Sequence, residues 1–372
     1  MNYVVSARKY RPATFEDVIG QEHITTTLKN AILTEKLAHA FLFCGPRGVG
    51  KTTCARLLAK VVNMPDPKKA VEDGSYADTD IDISLNIIEL DAASNNSVEH
   101  IRTLIEQVRF QPQQGAYKVF IIDEVHMLSQ AAFNAFLKTL EEPPPYAIFI
   151  LATTERHKIL PTILSRCQLY DFRRIGISAI ISQLEAIAVK ENISTEHDAL
   201  YIIAEKADGS MRDALSIFDR MAASNDTGIT YEAVVRNLSM LDLEYFFEAT
   251  RSILTEDGPG MILLLDKILN LGFEGDTFMN GFSKHLRNLM YCKQDSTVSL
   301  LEVSDQLKSR YIEQANMVTN STILTALNIA NKCDVDYPLA KDKRLHVEIA
   351  LLKMTYAGRR QVVEKKSERV LG

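Results

Sequence analysis

Eight residues, Gly45-Pro46-Arg47-Gly48-Val49-Gly50-Lys51-Thr52, restrict what this chain can fold into more than any other stretch. They match G-x4-G-K-[ST], and they lie between the apolar run Phe41 to Cys44 and a helical run from Thr53 to Val61. A loop of this kind works only between a strand and a helix. Its glycines let successive backbone N–H groups turn inward around phosphate oxygens, and the helix N-terminus adds its positive end. In that geometry Lys51 reaches the β- and γ-phosphates and Thr52 coordinates magnesium. Gly45, Gly48, Val49, Gly50, Lys51, Thr52 and Thr53 are therefore the expected nucleotide contacts.

The sequence around the loop suits a parallel sheet covered by helices. Further short apolar runs occur at Ile87 to Leu90, Val119 to Ile122 and Ile148 to Ala152, with amphipathic stretches between them. Val98, Ile101, Leu104, Ile105 and Val108 share one helical face, as do Ala132, Phe133, Phe136, Leu137 and Leu140. Ser129 can cap the second of these helices, and Pro143 to Pro145 ends it. The run Val119-Phe120-Ile121-Ile122 leads into Asp123-Glu124, the Walker B arrangement of a strand ending in two carboxylates. An acidic pair after a strand is usually just a solvated loop start. Downstream of a phosphate loop in a parallel sheet it gains a role, because such folds gather ligands at their strand carboxyl ends. Asp123, with Thr52, would hold the magnesium shell, and Glu124 would polarise the attacking water.

After Arg174 the pattern turns helical. Segments are expected at about 179–191, 196–207, 211–223 and 231–238, then at 243–254, 260–271, 277–292, 300–316, 322–333 and 344–357. This predicts an α/β domain over 1–175, a small helical domain over 176–239, an all-α domain over 240–360 and a charged tail over 361–372. Ile262, Leu263, Leu264, Leu265 and Ile268 make one helix strongly apolar, which suits either an oligomer interface or an internal core.

Composition narrows the function classes. With 46% hydrophobic and 24% charged residues the chain is ordinary globular protein, which excludes disordered and fibrous classes. Lys plus Arg total 42 against 48 Asp plus Glu, a net charge of −6, so any DNA binding must come from a local basic face. Arg8, Lys9 and Arg11 are followed by no hydrophobic block, and no apolar run is long enough to span a bilayer, so a cytoplasmic protein is expected. The five scattered cysteines fit reduced thiols, and no CxxC pair offers a zinc site.

A set of motifs across nearly the whole chain resembles the bacterial DNA polymerase III gamma/tau family, the AAA+ ATPases of the sliding-clamp loader. They are Ala7-Arg8-Lys9-Tyr10-Arg11-Pro12 with Phe15 and Val18-Ile19-Gly20-Gln21-Glu22-His23, the phosphate loop, and Leu90-Asp91-Ala92-Ala93-Ser94. Asp123-Glu124-Val125-His126-Met127-Leu128, Lys138-Thr139-Leu140-Glu141-Glu142-Pro143-Pro144 and Leu151-Ala152-Thr153-Thr154 follow. Leu164-Ser165-Arg166-Cys167 and Gly209-Ser210-Met211-Arg212-Asp213-Ala214 complete the set. The resemblance implies an α/β P-loop NTPase domain of the AAA+ kind followed by a helical lid and an all-α collar. It implies ATP and magnesium as cofactors.

The resemblance also assigns residues. Thr154 matches sensor 1, near the γ-phosphate. Arg166 matches the arginine finger that reaches a neighbouring subunit's nucleotide. Arg212 matches sensor 2 on the lid helix, where Ser210 can act as the cap. The adenine pocket would draw on Ala7, Arg11, Pro12, Val18 and Ile19, while Tyr10 equally fits ordinary packing. Implied partners are the delta and delta-prime subunits, other copies of the chain, the β sliding clamp and primer-template DNA, with no membrane. Asn95, Asn96, Ser97 and Arg102 could face the DNA backbone, although capping explains Asn96 and Ser97 equally well.

One departure stands out. The family usually carries a four-cysteine zinc module between the P-loop helix and the next strand, and here residues 62–86 contain no cysteine, so zinc is expected to be absent. The insert is acidic, with Asp66, Glu72, Asp73, Asp78, Asp80 and Asp82, and reads as a solvated, mobile loop. The sequence as it stands carries no proline-rich extension after the collar, so contact with polymerase or helicase is not expected. His126 reads as structural or bonded to its loop, and Cys44 and Cys54 as small buried hydrophobes. Two rival readings are a non-catalytic scaffold subunit, which the intact Lys51, Thr52, Asp123 and Glu124 oppose, and a branch-migration helicase motor, which would lack Ser-Arg-Cys and the N-terminal block.

Overall fold

A computed structural model describes residues 4–77, 84–113, 115–224, 228–238, 241–301, 303 and 305–357. The chain divides into two compact units: Met1–Thr195 with Ile203–Gly228, and Glu196–Ile202 with Ile229–Gly372.

The first unit is built on five parallel strands, β1 (Ala40–Cys44), β2 (Ile87–Asp91), β3 (Lys118–Asp123), β4 (Ala147–Thr153) and β5 (Gln168–Asp171), in the order β2-β3-β4-β1-β5. Register pairs Phe43 with Ala152 and Cys44 with Thr153, and on the other side Ile122 with Leu151, so the carboxyl ends of β1, β3 and β4 lie side by side. Strands β1 and β4 are buried throughout, which explains their continuous apolar spelling. The edge strand β5 was not among the apolar runs expected from the sequence. It spells Gln-Leu-Tyr-Asp and buries only Tyr170 completely, too short and too polar to stand out.

Helices of this unit are α1 (Ser6–Lys9), α2 (Glu22–Leu33), α3 (Lys51–Val61), α4 (Pro67–Asp73), α5 (Val98–Val108), α6 (Gln130–Glu141), α7 (Pro161–Leu164) and α8 (Ile177–Glu191); α9 (His197–Lys206) follows, and then α10 (Met211–Ser224). Two cores flank the sheet. Phe41, Phe43, Val119, Ile121 and Ile150 pack with α2 and α3 residues on one face, and Leu42, Phe120, Ile122, Phe149 and Leu151 with α5 and α6 residues on the other. Alternate residues of each strand thus serve opposite layers. Ser129 caps α6 by accepting from Ala132 N, Ser97 caps α5 by accepting from His100 N, and α6 stops at Glu141, just before the prolines.

The insert at 62–86 departs from the expected solvated loop. Asp66 caps α4, Ala70 and Val71 are buried, and the hydroxyl of fully buried Tyr76 accepts Phe15 N at 2.7 Å. Composition pointed to a loop, yet one aromatic anchor and a seven-residue capped helix supply the packing. Asp78, Asp80 and Asp82 lie outside the described residues.

The second unit is helical: α11 (Tyr231–Asn237), α12 (Leu243–Leu254), α13 (Gly258–Asn270), α14 (Gly275–Tyr291), α15 (Asp295–Val298), α16 (Asp305–Met317), α17 (Asn320–Asp336) and α18 (Lys343–Thr355). Its core joins α12 to α18 through Phe246, Phe247, Leu264, Ile268, Phe278, Phe282, Tyr311 and Leu351. Leu264, Leu265 and Ile268 belong to that core, whereas Leu263 on the same helix is 71% exposed. The single segment expected at 300–316 begins only at Asp305, with the short α15 ahead of it. Among the described residues no helix is long and apolar enough to cross a membrane.

Candidate nucleotide site

The turn from β1 into α3 is shaped by glycines in conformations that side chains avoid. Gly45 has φ +146°, Gly48 +75° and Gly50 +103°. Space is equally tight, because a Cβ on Gly48 would lie 2.0 Å from Ser210 Oγ and 3.2 Å from Arg212 Cβ, and one on Gly45 would lie 2.4 Å from Phe172 O. The loop is therefore pressed between β5's exit and the start of α10, and only glycine fits.

Lys51 opens α3 with its side chain folded back under the loop. Its ammonium donates to Gly45 O at 2.8 Å and Pro46 O at 2.7 Å, and the residue is 5% exposed. Burial pushes its pKa below the ordinary lysine value, while the nearby Glu124 and Asp123 carboxylates pull the other way. Next to it Thr52 Oγ1 donates to Asp123 Oδ2 at 2.6 Å, joining the loop to the end of β3. A hydroxyl and a carboxylate are the hard oxygen ligands that magnesium takes, so this donor set fits the ion.

Glu124 sits with φ +48°, a left-handed turn immediately after Asp123, and the two carboxylates take different partners. Thr154 Oγ1, just beyond β4, donates to Glu124 Oε2 at 3.1 Å.

These groups face one cavity. Besides Gly48, Val49, Gly50, Lys51, Thr52, Thr53, Asp123 and Glu124, its lining includes Ala7, Arg11, Pro12, Val18, Ile19 and Arg212. The structure thus brings the N-terminal block, the phosphate loop and the lid arginine into one place. Ser210 accepts Asp213 N at 3.2 Å, the cap that starts α10 and carries Arg212 to the loop, where Arg212 N donates to Gly48 O at 3.4 Å. Gly45 takes part through its carbonyl, and Thr154 through Glu124.

Arg166 stands apart. Its guanidinium donates to Glu141 Oε1 at 2.6 Å, to Thr162 O at 2.7 Å and to Ser165 Oγ at 3.3 Å, and it is not part of the cavity lining. Sequence reasoning missed Asp17, Arg47, Ile175, Gln183, Met211 and Leu215, which also line the cavity, and left Tyr10 undecided. Met211 and Leu215 are four apart on α10, flanking Arg212, so a helical-wheel reading could have found them. Nothing in the local sequence marks Ile175 or Gln183. Ser97 serves as a cap and Asn95 Nδ2 donates to Asp91 O, so two of the four residues considered for DNA contact already have local partners.

Sheet order, phosphate loop and acidic pair together define a P-loop nucleotide-binding module of the AAA+ kind, with helices after it. Family models divide the chain the same way. Residues 20–176 match a DNA polymerase III delta subunit model, 179–225 the ATPase lid domain of DNA polymerase III clamp loader subunits, and 229–370 domain III of DNA polymerase III subunits gamma and tau. The chain is 37% identical over 365 residues to the DNA polymerase III subunit tau of Bacillus subtilis, a match covering 95% of this chain and 63% of that one. It is 35% identical over 370 residues to the subunit gamma of Buchnera aphidicola subsp. Acyrthosiphon pisum, covering 96% and 100%. The chain belongs to the DNA polymerase III gamma/tau family, with an α/β AAA+ domain, a helical lid and an all-helical collar. It spans less than two thirds of the Bacillus protein. A Thermotoga maritima RuvB Holliday junction branch migration motor superposes with a TM-score of 0.48 at 19% identity, over 66% of this chain and 79% of that one.

Proposed function

We propose that the chain is the ATP-hydrolysing motor subunit of a clamp loader. It would bind ATP and magnesium in the cavity above β1 and couple hydrolysis to placing the β sliding clamp on primed DNA. The observation that carries this reading is the division of labour in the acidic pair: Asp123 is committed to Thr52 at 2.6 Å, and Glu124 to Thr154 at 3.1 Å. Two adjacent carboxylates with separate partners suit two separate tasks, and a passive nucleotide binder needs only the first.

In this reading Lys51 leaves the loop carbonyls to meet the β- and γ-phosphate oxygens, and the loop N–H groups do the rest of the binding. Thr52 and Asp123 hold magnesium, which supplies charge neutralisation at the phosphates when bound. Glu124 accepts the proton of the attacking water, and Thr154 keeps its carboxylate aimed. Arg212 meets the phosphates from the lid, while Ala7, Arg11, Pro12, Val18 and Ile19 enclose the base. Arg166, which the lone chain holds on Glu141, serves a neighbouring subunit's site. We retain a division into ATPase (1–175), lid (176–239), collar (240–360) and tail (361–372), with the collar joining other copies and the delta and delta-prime subunits. What supports this reading is the family and the exposed apolar residues of the second unit, among them Leu263, Leu324 and Leu345.

Nucleotide titration and phosphate release, with and without clamp and primed DNA, test the reading. Lys51→Ala should weaken ATP binding by about tenfold or more, through loss of a charge-assisted contact. Glu124→Gln should bind ATP near normally and lose about 100-fold or more in turnover, the usual worth of a general base. Undiminished turnover in Glu124→Gln would remove that residue from the mechanism, and a wild-type chain that binds no ATP would leave the scaffold reading.

A further inference from the structure

One buried titratable side chain beside the site has no role in the mechanism above. The 3-10 turn Val125–Met127 follows Glu124 and swings the His126 ring back beneath the acidic pair, where its side chain is 6% exposed. Nδ1 lies 3.0 Å from Thr153 Oγ1 and 3.4 Å from Glu124 Oε2, and Nε2 lies 3.3 Å from Glu155 Oε1. The contacts interlock, since Thr153 Oγ1 also accepts the Glu155 backbone N–H at 3.0 Å. Glu124 Oε2 thus has two side-chain neighbours, Thr154 Oγ1 at 3.1 Å and the imidazole Nδ1 at 3.4 Å.

Two side chains converging on one carboxylate oxygen is more than a structural histidine requires. The backbone of Glu124 is in the left-handed region, which a non-glycine residue seldom adopts, so local preference does not aim its side chain. Aim must come from contacts. Thr154 alone leaves the carboxylate free to swing about that single bond, and a second contact at Nδ1 removes the swing. Nδ1 makes its hydrogen bond with Thr153 Oγ1, which also accepts the Glu155 N–H, and that seat holds the ring edge 3.4 Å from Glu124 Oε2.

We propose that His126 is a positioning residue for Glu124: from its seat on Thr153 and Glu155 it holds the Glu124 carboxylate in the orientation that meets the attacking water. This rests on the reading of Glu124 as the group that polarises that water. Binding of ATP lies outside its reach, because Lys51, Thr52 and the loop contacts do not pass through it. The signature is therefore a fall in kcat at constant KM.

The ring has two edges, and two amide substitutions separate them. His126→Asn places its amide where Nδ1 stands, facing Glu124, whereas His126→Gln places it where Nε2 stands, facing Glu155. ATP turnover is measured for the full chain assembled with its clamp-loader partners, beside ATP affinity and thermal stability. His126→Ala and His126→Gln are expected to lower kcat about 10- to 100-fold with the KM for ATP within about twofold, the cost of a misplaced reacting group. His126→Asn should recover most of the loss. An active Glu124→Gln variant defeats the underlying mechanism and this inference with it. If Glu124→Gln is inactive but His126→Ala keeps normal kcat, or Asn and Gln behave alike, the inference alone is overturned. Should the His126 variants fail to fold, Thr153→Val removes the hydroxyl against Nδ1 at nearly constant volume and must lower kcat likewise, and an unchanged kcat there is equally decisive.

Discussion

At the scale of single residues, the second unit holds a titratable group whose protonation should be visible in stability. His285 is fully enclosed, with Nδ1 3.2 Å from Tyr311 Oη and Nε2 3.0 Å from Gln314 Oε1, and with Phe247 edge-on at 4.7 Å. Burial pushes its pKa from 6.5 down to about 3, against the opposing effect of the Gln314 hydrogen bond and with a smaller push from Arg310. The folded value lies below the unfolded one, so the unfolded chain takes up the proton first. Stability from this group is complete above pH 6.5 and drains away as pH falls from 6.5 towards 3, by up to about 1.4 kcal/mol per pH unit. His285→Gln cannot charge. Urea midpoints from pH 7 to 4.5 should show the wild type's advantage over this variant shrinking steadily with acidity, and a constant difference would mean that the histidine takes up its proton equally in the folded and unfolded chain. None of this was readable in the sequence, where a lone histidine between Lys284 and Leu286 carries no sign of its burial.

At the scale of elements, legibility followed length and continuity. Strands β1, β3 and β4 are buried on both faces and spell unbroken apolar runs, and α12 spans the residues 243–254 that periodicity marks out. Helix α1 is only four residues long, and its importance comes from what it bridges. Ala7, with Tyr10 and Arg11 just after the helix, faces the nucleotide cavity, while Ser6 N donates to Asp219 Oδ2 at 2.7 Å and Lys9 pairs with Glu191 at 2.5 Å. The Tyr10 hydroxyl also donates to Glu191, so one carboxylate on α8 ties down the last residue of α1 and the one that follows it. Such a strap sets where these cavity-lining residues lie without touching Lys51, Thr52 or the acidic pair. Glu191→Ala should therefore raise the KM for ATP about three- to tenfold and leave kcat within about twofold, the pattern of lost ground-state binding. Steady-state ATP titration checks it, and an equal loss in kcat would show that α1 acts on the chemistry as well. Spacing could not reveal this arrangement, because residues 6–11 and 191–219 come together only through the fold.

At the scale of the whole molecule, the question is whether a single chain contains its complete catalytic set. Every site residue expected from the sequence gathers around the cavity or touches a residue that does, with the exception of Arg166. That guanidinium is one-third exposed and rests on Glu141, beside a surface depression formed by Ala38, His39, Leu140 and Phe149. An exposed pair of this sort is worth at most about 1 kcal/mol, so it restrains the arginine weakly and can be exchanged for a better anion. A phosphate offered by an adjoining subunit is such an anion, since the planar fork of arginine suits it and its charge exceeds that of one carboxylate. The arrangement predicts complementation between two inactive chains. Lys51→Ala removes a site but keeps its arginine, whereas Arg166→Ala keeps a site but removes its arginine. Each alone should turn over ATP about 1,000-fold or more slowly, the lower end of what a transferred arginine contributes. Co-assembled, the Lys51→Ala chain lends its Arg166 to the intact site of its neighbour, and turnover should return to a substantial fraction of wild type, set by how often the two kinds sit next to each other in the required order. An arginine acting within its own chain gives no recovery at any mixing ratio. A graded rise that peaks at intermediate ratios requires the catalytic set to be divided between protomers, which makes assembly itself the condition for hydrolysis.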